Sequence, residues 1–152
     1  MGAVVDRLAS LGLTVPEVAA PVASYVPAVV TGSYVHTSGQ LPFVNGALPA
    51  TGKVGAEISP EDAAEYAKLC ALNVIAAIAS VADLDRVVRV VKLGVFVASA
   101  PDFTGQPAVA NGASDLIAAA FGAAGSHARS AVGVAVLPMD TPVEIDAIVE
   151  LS

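Results

Sequence analysis

Ser59-Pro60-Glu61-Asp62 is the strongest structural instruction in the chain. A serine N-cap accepts one of the orphan amides of a helix start. A proline at the first helical position sacrifices no hydrogen bond, and two acids lie near the positive end of the helix dipole. Ala63, Ala67, Cys70, Ala71, Val74, Ile78 and Val81 then fall on one stripe for about six turns. A helix this long with one apolar stripe needs a broad surface to cover, and runs of β-branched residues supply it. Val87 to Val97 reads as a long central strand, and Ala28 to Thr31 with Tyr34 to Ser38 as a hairpin about Thr31-Gly32-Ser33. Asn45-Gly46, between Phe43-Val44 and Ala47-Leu48, is a second hairpin turn, since both residues tolerate positive φ. A second helix is predicted near Ala108 to Phe121, closed by Gly122 and Gly125, and two more strands over Ala131 to Val136 and Val143 to Leu151. The order β-β-α-β-α-β-β predicts an α+β fold, one mixed sheet with both long helices on one face. Without repeats or an interdomain linker, residues 1–152 read as a single domain. Residues 1–23 form an N-terminal extension in which Val4, Val5, Leu8 and Leu11 mark a short helix.

Charge narrows the function classes. Fourteen acidic residues against seven scattered basic ones give a net charge of −7, the wrong sign for the counterion-displacing surface that nucleic acid requires. No nucleic-acid partner is expected. Although 55% of the residues are hydrophobic, Gly, Pro and polar residues break every apolar run before it reaches the length of a spanning helix. No membrane association is expected. The start, MGAVVDRLASLG, carries Asp6 and Arg7 inside its apolar pattern and lacks the form of a secretory signal, so the expected location is cytoplasmic. So much apolar surface with so few charges predicts a homo-oligomer.

The single cysteine, Cys70, sits on the apolar stripe and reads as a buried, inert thiol. His36 and His127 are the only histidines and have no ligand spacing, so no metal site is expected. There is no G-x-S-x-G elbow, phosphate loop or G-x-G-x-x-G fingerprint, and no cofactor is expected. Asn73, in the long helix, reads as a polar side chain bonded to nearby backbone. His36 shares a strand face with Tyr34 and Ser38, which leaves it a structural or a functional role. Arg129 stands out, at the head of the apolar run Ala131-Val132-Gly133-Val134-Ala135-Val136. A guanidinium in such a place needs an anionic partner, and its planar fork suits a carboxylate. Two readings stay open: a salt bridge to Glu144 or Asp146, which share one face of the last strand, or a grip on an anionic ligand.

An ordered set of segments bears on that choice: Tyr25-Val26, Thr37-Ser38-Gly39-Gln40-Leu41-Pro42, Asn73, Lys92-Leu93-Gly94-Val95-Phe96-Val97, Asp102-Phe103, Ala128-Arg129-Ser130, Leu137-Pro138 and Val143-Glu144-Ile145-Asp146-Ala147-Ile148. From about Ser24 to the C-terminus this pattern resembles the RidA/YjgF-like, or reactive intermediate deaminase, family in a longer-chain branch. The resemblance implies a chorismate-mutase-like fold of the bacillus type, a homotrimer with sites at subunit interfaces, and no cofactor. It also implies hydrolysis of enamine/imine intermediates, 2-imino acids, to 2-oxo acids and ammonia. Carried over by position, Arg129 and Glu144 would be catalytic, the first gripping the substrate carboxylate and the second placing the water. Tyr25, Ser38, Gly39 and Asn111 would bind substrate. The chain departs from the compact pattern in its N-terminal extension, a longer hairpin from Phe43 to Val54, extra residues between Phe103 and Asn111, Ala131 in place of a cysteine, and His127 in place of a proline. Alternatives are a non-catalytic or regulatory module that holds small carboxylates on the same fold, and the endoribonuclease (L-PSP-like) activity attached to the family's names, which the acidic charge opposes.

Overall fold

The structure is a computed structural model that describes residues 2–21 and 23–152. Helix α2 (Pro60–Ala79) begins as its sequence requires, with the Ser59 hydroxyl accepting from the Asp62 amide at 3.1 Å. Its stripe, from Ala63 through Ala67, Cys70, Ala71 and Val74 to Ile78, is buried. The helix stops two residues before Val81, which is exposed. The Cys70 thiol is buried and its pKa is pushed well above the usual thiol range by loss of solvent, so it is held protonated and unreactive.

The remaining elements are α1 (Ala3–Ser10), β1 (Ala28–Thr31), β2 (Tyr34–Thr37), β3 (Val87–Ala98), α3 (Gln106–Phe121), β4 (Ala128–Val134) and β5 (Val143–Leu151). They form one five-stranded sheet in the order β1-β2-β5-β3-β4, antiparallel except for the β3–β4 pair. This is the expected mixed α+β sheet. The final turn of the first hairpin and the Asn45-Gly46 turn also form as expected, the latter with φ of 51° and 81° closing a Val44–Ala47 bridge. Strand β4 begins three residues earlier than the β-branched run suggested, because parallel pairing with β3 runs from Lys92 opposite Ala128. The backbone ladder, not side-chain preference, sets that boundary.

Strict alternation along β5 divides the sheet into two unlike faces. Val143, Ile145, Ala147, Val149 and Leu151 are buried beneath the helices, while Glu144, Asp146, Ile148 and Glu150 point the other way. The helix side is dry and close-packed, with Leu93, Val95, Ile75, Ile78, Ile117 and Ile145 almost fully buried. Each such side chain stabilises the fold by about 1.5–3 kcal/mol relative to exposure.

Helices α2 and α3 approach closely at Gly112, where an added Cβ would come within 2.0 Å of the Ala64 carbonyl oxygen. That contact fixes the height of α3 on the sheet. Asn73, also buried, reaches across rather than along the chain: its amide donates to the carbonyls of Leu41 (2.8 Å) and Phe43 (3.1 Å). The expected bond to nearby backbone is therefore replaced by a long-range tie. It holds the segment after Gly39 against α2, since those carbonyls lie outside any sheet ladder and need a donor.

Candidate active site

Arg129 lies in β4, opposite Leu93 of β3, so its side chain leaves the sheet on the helix side. Its strand is at the sheet edge, which lets the guanidinium run out over α3 instead of into the core. There Nη1 donates to Asn111 Oδ1 at 2.8 Å and to Ser114 Oγ at 3.1 Å, and Nη2 donates to the Pro107 carbonyl at 3.4 Å. Pro107, Asn111 and Ser114 are spaced by four and three residues, one face of a helix. All three partners are neutral. The salt bridge to Glu144 or Asp146 is overturned within the chain: the one ion pair among the described residues joins Lys53 to Asp140.

Strand register explains why. Glu144 faces Phe96, three residues further along β3 than Leu93, and projects from the opposite side of the sheet. Two strand spacings and three residues of rise put the Cα atoms of Arg129 and Glu144 roughly 14 Å apart. A single chain therefore keeps them separate.

Glu144 opens into a cavity of about 230 Å³ bounded by Tyr25, Gly39, Gln40, Leu41, Phe43 and Met139, with Ala19, Ala20 and Pro21 of the extension forming one wall. Gly39 is essential to this arrangement, because a Cβ on it would lie 2.8 Å from the Glu144 carboxyl carbon. Burial raises the Glu144 pKa above the usual carboxylate range, and the neighbouring charge of Asp146 adds to the effect. Asp146 is itself raised by burial, against a lowering by the Gly94 amide and Lys92. At the cavity rim, Met139 and Asp140 both adopt φ of 56°, and the Lys53–Asp140 pair anchors that turn.

The residues singled out from sequence thus fall into two groups. Tyr25, Gly39 and Glu144 share the cavity; Asn111 and Arg129 share the α3 edge. Ser38 flanks the first group, its hydroxyl donating to the Val26 carbonyl at 2.6 Å, so it steadies the segment that carries Tyr25. His36 is exposed on the open sheet face opposite Ile148. Among the described residues no cluster of three or more His, Cys, Asp or Glu side chains is arranged to hold a metal ion. Among the described residues no helix is long and apolar enough to cross a membrane.

Sequence reasoning missed Ser114, Gln40, Met139 and the wall from Ala19 to Pro21. Ser114 was findable, three residues after Asn111 on the same helix face. Met139 stands in the turn that leads into β5, while nothing local marks Gln40 or the wall from Ala19 to Pro21, which meet Glu144 through distant loops.

Residues 5–151 match the model of the family described as YjgF/chorismate mutase-like, a description that also carries an endoribonuclease label. Protein TCP17 of Trypanosoma cruzi is 50% identical over 153 residues, covering 99% of this chain and 96% of that protein. Among solved structures, Atu1372 of Agrobacterium tumefaciens, a protein of unknown function, is 45% identical with a TM-score of 0.91, covering 99% of this chain and 93% of that one. TdcF of Escherichia coli, solved with bound serine, is 28% identical with a TM-score of 0.67, covering 90% of this chain and 94% of that one.

Proposed function

Because the chain belongs to the YjgF/chorismate mutase-like family, we propose that it is an imine hydrolase, converting 2-imino acids to 2-oxo acids and ammonia at a site built between copies of itself. The observation that carries this reading is the guanidinium of Arg129, held by three neutral acceptors and facing no carboxylate among the described residues. Such a group is a positioned cation in want of an anion, and a substrate carboxylate fits its fork. The bound serine of TdcF supports a small-molecule ligand for the fold.

Glu144 supplies the second half of the chemistry. Its raised pKa brings it nearer to neutrality, where a carboxylate both accepts and returns a proton. Water adds its oxygen to the imine carbon while Glu144 takes one of its protons. Glu144 returns that proton to nitrogen, which gives the carbinolamine. The hydroxyl proton then passes to nitrogen as the C–N bond breaks, so nitrogen leaves as ammonia and the hydroxyl oxygen becomes the 2-oxo group. The imine carbon is already electrophilic, so orientation and proton transfer suffice.

The separation of Arg129 from Glu144 within a chain is what the interfacial site resolves: one copy presents the α3 edge and its neighbour the cavity. The open sheet face, with Val29 and Val132 exposed and Phe96 and Ile148 partly so, suits burial in a homotrimer. The cavity walls, mostly Ala, Pro, Leu, Phe and Met, suit an uncharged apolar substrate side chain.

Release of ammonia and 2-oxobutanoate from freshly generated 2-iminobutanoate tests the proposal. Wild type must exceed the uncatalysed rate and Arg129→Ala must not. Carboxylate binding without turnover across a broad imine panel would move the assignment to a carboxylate-binding module. An RNA-cleaving role has the net charge of −7 and the Glu144, Asp146 and Glu150 stripe against it.

A further inference from the structure

Behind Arg129 lies a hydrogen-bonded chain that runs through Ser114 to His127. His127 Nδ1 is 2.6 Å from the Gly125 carbonyl oxygen, and its Nε2 is 2.9 Å from Ser114 Oγ. A carbonyl oxygen only accepts, so Nδ1 carries the proton. Ser114 Oγ already accepts from Arg129 Nη1, which leaves its own proton to be donated. In the neutral imidazole the bare Nε2 is the acceptor that takes it. Every group is then satisfied in one direction: Arg129 donates to Ser114, Ser114 to His127, and His127 to Gly125.

We infer that His127 is a positioning residue, which acts through Ser114 to set the angle at which Arg129 presents its guanidinium to a bound anion. This inference rests on Arg129 being the carboxylate clamp. Serine hydroxyls rotate freely, and a rotating hydroxyl alternates between accepting from Arg129 and turning its hydrogen toward it. With its proton drawn to Nε2, Ser114 keeps a lone pair on the guanidinium. The anchor at Gly125 matters equally, because it ties the imidazole to the turn that joins α3 to β4. Arg129 and its support on α3 are thereby held in one frame. A proline at this position would supply a stiff chain but no acceptor.

Two measurements separate this role from a purely structural one. The first is a double-mutant cycle on the full-length protein, reading 2-oxobutanoate affinity by calorimetry and steady-state rates with 2-iminobutanoate. His127→Phe is expected to weaken 2-oxobutanoate binding and raise KM about fivefold, the worth of one supporting hydrogen bond, with kcat changed less than about twofold. His127→Gln is expected to restore most of the loss, since its side-chain carbonyl can accept the Ser114 proton. In a Ser114→Ala background, His127→Phe is expected to do nothing more. Unchanged affinity in His127→Phe, or losses that simply add to those of Ser114→Ala, would overturn the inference.

The second is the ¹⁵N NMR spectrum of the His127 ring, which reports the tautomer whether or not Arg129 binds a carboxylate. A protonated Nδ1 and a bare Nε2 that shifts in Ser114→Ala are expected. The opposite tautomer would overturn the relay. If the NMR result holds while Arg129→Ala binds 2-oxobutanoate as wild type does, the clamp reading has failed and the relay has not.

Discussion

The α3 edge and the Glu144 cavity are built from the same sheet by opposite means. At the edge, Arg129 is a permanent cation on a strand with one free side, steered by neutral oxygens from a single helix face. In the cavity, Glu144 stands on a central strand, and its walls come from three connecting segments, after α1, after β2 and just before β5. A cation needs only directional acceptors to hold its aim, because its charge is not negotiable. A carboxylate is tuned by what excludes water from it, and exclusion takes many small surfaces. The aim of Arg129 thus depends on one helix face, whereas the surroundings of Glu144 depend on the whole fold.

Removing the cation should have the largest effect. Arg129→Ala is expected to lower kcat/KM by about a thousandfold, the loss of a bidentate charged contact, with Tm almost unchanged because the side chain contributes little to the core. Activity within tenfold of wild type would break the assignment of the edge as a clamp.

Glu144→Gln is expected to lower kcat by about a hundredfold while raising thermal stability at neutral pH. Burial raises the folded pKa of Glu144, so the folded chain holds this proton more tightly than the unfolded one. Stability therefore declines as pH rises from the unfolded carboxylate range through the raised pKa, and is recovered below it. The glutamine removes that decline, so its Tm advantage should shrink as pH falls into the acid range; a pH series of melting curves checks it.

Those two inactive variants also test whether the half-sites meet between copies. Mixed, unfolded together and refolded, Arg129→Ala and Glu144→Gln chains should recover turnover that neither has alone, because some interfaces then pair an intact edge with an intact cavity. No recovery in a mixed oligomer confirmed by native mass spectrometry would place both residues in one chain's site.

Smaller effects sharpen the edge itself. Asn111→Ala is expected to raise KM about tenfold with kcat nearly constant, as one of two Nη1 acceptors is lost. Gly112→Ala drives a methyl into the Ala64 carbonyl and should cost about 2 kcal/mol of stability. Chemical denaturation measures that cost, and it should lower activity only as far as α3 shifts Asn111 and Ser114.

Much of this was legible in the sequence, though unevenly. The Ser59-Pro60 helix start, the Asn45-Gly46 turn and the β5 alternation act through contacts within a few residues, so pattern alone reports them. Arg129 was visible as an anomaly, and Asn111 as a substrate-binding position that the family resemblance implies, though not as a partner of Arg129. Ser114 needed only the helical period. Strand β4 starts before its β-branched run because pairing with β3 recruits Ala128, Arg129 and Ser130 regardless of their side chains. Asn73 was given a local partner because sequence offers no sight of the Leu41 and Phe43 carbonyls that cross over it.

By itself the sequence determined the element order, the two-faced strand that carries Glu144, and the presence of one arginine without an evident partner. These are consequences of period, capping and charge count. Only the tertiary structure decided that the arginine and the glutamate leave the sheet on opposite faces. That follows from register across three strands, where a one-residue slip would exchange every side chain between core and surface. The pattern along any single strand cannot express this relation, which is why the salt bridge that the sequence left open does not form and the two residues stand apart.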